Sequence, residues 1–323
     1  MSEDHIAMHE EFIYCGGAAT QVLKYGPWIN LKKTSGESPP KLLFFIIPGN
    51  PGIVGYYRTF MESLYRGFNE KYPVWAISHA GHCSPPKGMD MTNDTEIDPI
   101  EDIFGINGQI EHKLCFLKKN VPVDTKLVLI GHSIGCYIIL EMMERAIDLK
   151  ILQSILLFPT IERMAQSPQG KIMTPLLCNL RYIVYMPLYL LSFLPESVQA
   201  SLIKFVLRGI KSVDEFSVTA SLNLFRVDCA ANAMYMGGQE MMQVLERDNT
   251  IIQKNLSKFI EKIIFYYGAN DNWCPVQYYE DIKKDFPEGN IWLCQRGIRH
   301  AFVLDSSREM ATMIIDWLKN KQT

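Results

Sequence analysis

The sequence predicts an α/β fold: a mostly parallel sheet flanked by helices, interrupted late in the chain by a helical, apolar insertion. Three observations carry this expectation. Short uncharged runs, at Leu42–Ile47, Pro73–Ile77, Leu127–Ile130 and Ile151–Phe158, alternate with stretches of helical periodicity, as strands buried on both faces alternate with crossover helices. The alternation breaks over residues 161–250 and resumes at Lys262–Tyr267. Between the third and fourth runs, a serine stands between two glycines at a point where strand gives way to helix.

At 323 residues and a formal net charge of −3, the chain can bury a full core and carries no electrostatic footprint for nucleic acid. The eight cysteines are scattered, without C-x-x-C pairs or zinc spacing, and read as reduced thiols. The first residues, Met1-Ser2-Glu3-Asp4-His5, are acidic and lack the apolar run of a secretory signal, so the cytosolic side is expected. No metal or cofactor is expected.

Phe12-Ile13-Tyr14 and Gln21-Val22-Leu23, on either side of Gly16-Gly17, predict a hairpin. Residues 32–40 form a polar loop. The strand Leu42–Ile47 runs straight into Pro48-Gly49-Asn50-Pro51-Gly52. In a sheet whose nucleophile sits on a later elbow, such a loop supplies an oxyanion donor. Pro51 has no N–H, so Asn50 is the candidate and the Gly52 N–H the reserve. A tight turn needed only for backbone geometry is the competing reading.

Phe60, Leu64 and Phe68 predict a helix over Tyr56–Asn69. The next strand ends in Ser78-His79-Ala80-Gly81-His82, whose two histidines lack further ligands for a metal and are expected near a pocket mouth. Cys83–Pro99 reads as a mobile surface connection, and Ile106, Ile110, Leu114 and Leu117 mark one face of a helix. Gly131-His132-Ser133-Ile134-Gly135 then fits G-x-S-x-G, in which small residues let a strand turn sharply into a helix and hold the middle side chain at the tip. Ile138, Met142 and Ile147 continue that helix. Its positive N-terminus and the Ile134 N–H can stabilise an oxyanion beside Ser133.

The chain divides into a core of 1–160 and 251–323 and an insertion of 161–250. Ile172–Leu194 carries one formal charge, Arg181, over a length that could cross a bilayer, but Pro175 and Pro187 interrupt it. In 201–211, Lys204, Arg208 and Lys211 fall on one helical face, and Leu202, Phe205, Val206 and Ile210 on the other. With Tyr182, Tyr185, Tyr189 and Phe193, this pattern suits a lipid monolayer or membrane surface. A cap that simply covers the active site is the alternative, and both can hold together.

After Lys262–Tyr267 comes Gly268-Ala269-Asn270-Asp271, where a triad carboxylate belongs. Pro275 opens a helix through Tyr278, Tyr279 and Ile282. Asn290–Cys294 is a further strand that leads to His300, and a last helix buries Met310, Met313, Ile314 and Trp317. Ser133, Asp271 and His300 thus follow strands in the order Ser, Asp, His. A serine hydroxyl is a poor nucleophile at neutral pH. His300 would accept its proton and return it to the leaving group, and Asp271 would hold the imidazole in the required tautomer.

The G-H-S-I-G elbow, the Asp271 loop and His300 resemble the α/β-hydrolase superfamily. More narrowly, F-I-I-P-G-N-P-G at 45–52, S-H-A-G-H at 78–82, N-G-Q-I-E-H-K-L at 107–114 and F-P-T-I-E-R-M at 158–164 closely resemble the lipid-droplet-associated hydrolase family. The resemblance implies an α/β-hydrolase fold and a serine esterase activity on neutral lipid esters such as sterol esters. It further implies residence on lipid droplets and the endoplasmic reticulum, with 172–211 as the droplet-targeting element. Pro48-Gly49 stands where the superfamily commonly has His-Gly. Two rivals to hydrolysis follow: acyl transfer from the same acyl-enzyme, and a droplet-binding protein with little or no turnover.

Overall fold

The computed structural model describes residues 8–27, 30–31, 40–93, 99–250, 252 and 262–320. The acidic N-terminus, residues 32–39 of the polar loop, 94–98 of the connection after Cys83, and the start of the second core segment at 251 lie outside the described residues.

The predicted hairpin forms from β1 (Met8–Cys15) and β2 (Ala18–Tyr25), antiparallel around Gly16-Gly17. Strand β2 joins β4 (Val74–Ile77), again antiparallel. From there β3 (Leu42–Ile47), β5 (Lys126–His132), β6 (Ile151–Leu157), β7 (Ile263–Gly268) and β8 (Asn290–Cys294) run parallel, in the order β1-β2-β4-β3-β5-β6-β7-β8. The interiors of the central strands are uncharged because both of their faces are covered: Phe44, Phe45, Leu129, Ile130, Ile155 and Leu156 are all buried.

Helices α1 (Arg58–Gly67), α2 (Ile106–Asn120) and α3 (Ile134–Arg145) connect the first parallel strands. Beyond the insertion lie α9 (Val276–Asp285) and α10 (Ser307–Asn320), the latter packed against α1. The register decides where chemistry can occur. Ile47 pairs with Gly131, His132 with Leu157, Leu157 with Tyr266, and Gly268 with Cys294. The loops after β3, β5, β6, β7 and β8 therefore leave the sheet along one edge, where open α/β sheets bind ligands.

The insertion between β6 and β7 comprises α4 (Pro168–Thr174), a π-helical turn (Pro175–Asn179), α5 (Arg181–Leu191), α6 (Glu196–Leu207), α7 (Ser217–Leu222) and α8 (Val227–Gln243). Pro175 opens the π turn and Pro187 lies within α5. Among the described residues no helix is long and apolar enough to cross a membrane.

Four expectations need correction. Helix α3 ends at Arg145, and Ile147 lies past its end, 87% exposed. The connection after Cys83 is pinned to the hairpin along its described part: Cys83 is buried, the Ala19 N–H donates to the Met91 carbonyl at 2.8 Å, and the Asn93 N–H donates to the Gly17 carbonyl at 2.8 Å. His79 and His82 are fully buried beneath the Pro48–Gly52 loop and do not border the pocket. Helix α6 stops at Leu207, so Lys211 lies off it. That helix buries Ile203 and turns Leu202, Phe205 and Val206 outward, because periodicity fixes a face but not which side finds a partner.

Candidate active site

Ser133 sits at φ +54°, ψ −123°, outside the regions open to most side chains, between the end of β5 and the start of α3. Three contacts hold it there. Its N–H donates to the Leu157 carbonyl at 3.0 Å, and its carbonyl accepts from the N–H groups of Cys136 at 3.0 Å and Thr160 at 3.4 Å. The turn is tight enough that a Cβ on Gly135 would stand 2.3 Å from the Ile47 carbonyl oxygen, so only glycine fits there. A Cβ on Gly49 would stand 3.0 Å from that of Ser133, which sets the loop after β3 directly against the serine.

The structure brings the three predicted residues into one hydrogen-bonded chain. His300 Nε2 lies 2.9 Å from Ser133 Oγ, and His300 Nδ1 lies 2.6 Å from Asp271 Oδ2. Asp271 in turn accepts at Oδ1 from the N–H groups of Trp273 at 2.7 Å and Cys274 at 3.1 Å, and at Oδ2 from the Cys274 thiol at 3.2 Å. Burial pushes the Asp271 carboxyl up, but the facing His300 and these donors outweigh it and hold the group below its ordinary value. The ligand-type atoms of Asp271, Cys274 and His300 cluster within 4.8 Å. Two ligands of one zinc stand roughly 3.3 Å apart from bond lengths and tetrahedral angles, so the 2.6 Å contact is a hydrogen bond rather than a metal edge.

The oxyanion candidates fare differently. The Gly52 N–H, held in reserve on sequence grounds, is committed to His82 Nδ1 at 3.0 Å. Among the described residues the backbone N–H groups of Asn50 and Ile134 have no hydrogen-bond partner. The Asn50 side chain is engaged elsewhere, donating through Nδ2 to the Ala233 carbonyl at 2.9 Å and to Glu240 Oε1 at 2.7 Å, both on α8.

Sequence reasoning missed a second chain of contacts behind the serine. The Gly49 N–H donates to Tyr57 Oη at 2.9 Å, Tyr57 lies 2.6 Å from His132 Nδ1, and His132 Nε2 lies 2.8 Å from the His300 carbonyl. A carbonyl only accepts, so His132 carries its proton on Nε2 and accepts a hydrogen bond from the Tyr57 hydroxyl at Nδ1. Burial and the neighbouring His300 press His132 down to about 3, so it stays neutral at physiological pH. His132, the residue before the elbow serine, thereby ties the loop after β3 to the His300 loop. The only signal for it was a histidine next to a candidate nucleophile.

Ser133, His300, Asn50 and Glu240 border a cavity of about 360 Å³ whose remaining wall is mostly apolar, including Met173, Leu177, Leu188, Met234 and Met241 from the insertion. On the outer side of the same insertion, Tyr182, Ile183, Leu190, Phe193, Phe205 and Val206 are all exposed.

Solved structures share the architecture. An epoxide hydrolase from Vigna radiata superposes with a TM-score of 0.62 at 13% identity, covering 97% of this chain and 98% of its own. A haloalkane dehalogenase from Bradyrhizobium elkani gives 0.58 at 12%, with 97% and 98% covered. At these identities the likeness establishes the α/β-hydrolase fold alone. The sequence comparisons go further. The family model described as lipid-droplet associated hydrolase matches residues 40–303. Proteins named lipid droplet-associated hydrolase are 65% identical in Gallus gallus, over 100% of this chain and 98% of the relative, and 52% identical in Homo sapiens, over 98% and 97%. The Drosophila melanogaster relative is 34% identical over 97% and 98%. With the match running from just before β3 through the His300 segment, the chain belongs to the lipid-droplet associated hydrolase family.

Proposed function

We propose that the protein is a serine ester hydrolase acting on neutral lipid esters, the class that includes sterol esters, at the surface of lipid droplets and the cytosolic face of the endoplasmic reticulum. The observation that carries this reading is the Ser133–His300–Asp271 chain opening on an apolar cavity. His300 takes the Ser133 proton as Oγ attacks the ester carbonyl, Asp271 steadies the imidazolium, and the free N–H groups of Asn50 and Ile134 receive the oxyanion. Return of the proton to the alcohol oxygen expels it and leaves an acyl-serine. Water, activated by the same His300, then releases the fatty acid.

The apolar cavity wall supports a hydrocarbon acyl chain. The exposed aromatic and aliphatic side chains of α5 and α6, with Arg208 stacked on Phe205 at 3.9 Å, support seating of 172–211 on a lipid monolayer. The test is labelling by a fluorophosphonate. Wild-type protein reacts and Ser133→Ala, equally folded, does not. A folded, droplet-bound wild type that resists the probe removes the hydrolase reading in favour of a binding protein.

A further inference from the structure

We propose that Glu240 gives this pocket a polar subsite that binds a second oxygen of the substrate, a free hydroxyl or a further carbonyl, so that esters of polyols are preferred to esters of hydrocarbon alcohols. The inference rests on the ester-hydrolase reading and names the substrate class within it.

Glu240 lies on α8 and borders the cavity that holds Ser133; apart from Asn50 and the Ser133, His132 and His300 side chains, the lining is apolar, mostly methionine, leucine and alanine. It is 4% exposed. One oxygen, Oε1, accepts from Asn50 Nδ2 at 2.7 Å. Among the described residues the other, Oε2, has no hydrogen-bond partner, yet it is not sealed away from the cavity. Burial pushes the carboxyl up to about 8, against the smaller opposing effect of the Asn50 contact. Glu240 is therefore mostly protonated at pH 7. In a neutral acid the oxygen that accepts is the carbonyl, which places the proton on Oε2.

The apolar wall thus presents one O–H donor with nothing to receive it. A purely hydrocarbon ligand would leave that donor unpaired, whereas an ether, hydroxyl or carbonyl oxygen would satisfy it. Sites that hydrogen-bond a substrate group discriminate far more strongly than apolar walls do.

The test uses the full chain carrying Ser133→Ala, which binds without turnover, and two esters with the same acyl chain: 1-monooleoylglycerol and propyl oleate, which differ by two hydroxyls. Displacement of a fluorescent acyl probe reads the ratio of the two affinities. Ser133→Ala is expected to favour monooleoylglycerol by about tenfold or more, the worth of one hydrogen bond to a buried donor. The ratio should fall to about one in Ser133→Ala/Glu240→Met and be kept in Ser133→Ala/Glu240→Gln, whose amide can also donate. The Gln variant guards against a Met variant that fails to fold. Equal affinities in Ser133→Ala, or a preference that survives Glu240→Met, overturns the subsite. Turnover of the same esters by wild type is read separately: a kept binding ratio without turnover removes the hydrolase reading and upholds the subsite.

Discussion

Asp271→Asn tests the site most sharply, because the surroundings dictate which way the new amide must face. Two backbone donors, the N–H groups of Trp273 and Cys274, converge on Oδ1 at 2.7 and 3.1 Å. Turning the asparagine NH2 toward them would leave two buried donors unpaired, at a cost of roughly 2–6 kcal/mol. The oxygen therefore stays on them and the NH2 takes the Oδ2 position, 2.6 Å from His300 Nδ1. His300 Nδ1 must then accept. Its proton moves to Nε2, facing Ser133 Oγ at 2.9 Å, where a base is needed. A histidine fixed in the wrong tautomer costs about 10⁴ in kcat, or about 5.4 kcal/mol of barrier. Hydrolysis of a short chromogenic ester, with the thermal midpoint measured alongside, checks this. A variant that folds normally and keeps kcat within about tenfold of wild type would show that Asp271 does not set the His300 tautomer.

Tyr57→Phe leaves the Gly49 N–H and His132 Nδ1 without partners in a buried site, and is expected to lower stability by roughly 2–4 kcal/mol. Chemical denaturation measures that loss, and a drop in ester turnover should accompany it as the loops bearing Asn50 and His300 lose their common tie. Glu240 has its folded-state pKa raised from 4.5 to about 8. Between those values the unfolded chain has given up a proton that the folded chain keeps, so the stabilisation is complete below about 4.5 and is lost as pH rises through about 8. Thermal midpoints of wild type should fall across that window relative to Glu240→Gln, whose curve lacks this slope. Ile183→Asp together with Phe205→Asp, at exposed positions of α5 and α6, should move the protein off artificial lipid droplets in a flotation assay while fluorophosphonate labelling is retained. Undiminished flotation would place lipid contact elsewhere.

The parts legible in the sequence were those that local chemistry over-determines. The elbow could be read because a buried strand, two glycines and a following helix coincide within a dozen residues, and Gly135 has to be glycine where the Ile47 carbonyl presses on it. Asp271 and His300 could be read because topology puts the loops after β7 and β8 on the same edge as the serine. Glu240 was invisible: one acid in a long helix looks like a solvent-facing residue, and its partner Asn50 lies 190 positions away. The Tyr57–His132 pair spans 75 positions and leaves no local pattern. His79 and His82 misled because loops at the functional edge are commonly open, whereas here the loop after β3 closes over them. In α6 the periodicity was correct, and the outward turn of its apolar face depends on neighbours no spacing records.

The two hydrogen bonds from Asn50 to α8 bear on how far this enzyme scaffold can be taken apart. Exchanging the helices between the sixth and seventh strands for those of a relative assumes that catalysis stays with the sheet. Here such a transplant would carry away the Ala233 carbonyl and the Glu240 carboxyl, leaving the Asn50 amide untethered beside the serine. A working hybrid would need Asn50 and helix 227–243 to travel as a unit, so the boundary between exchangeable parts runs through the pocket rather than along residue 160.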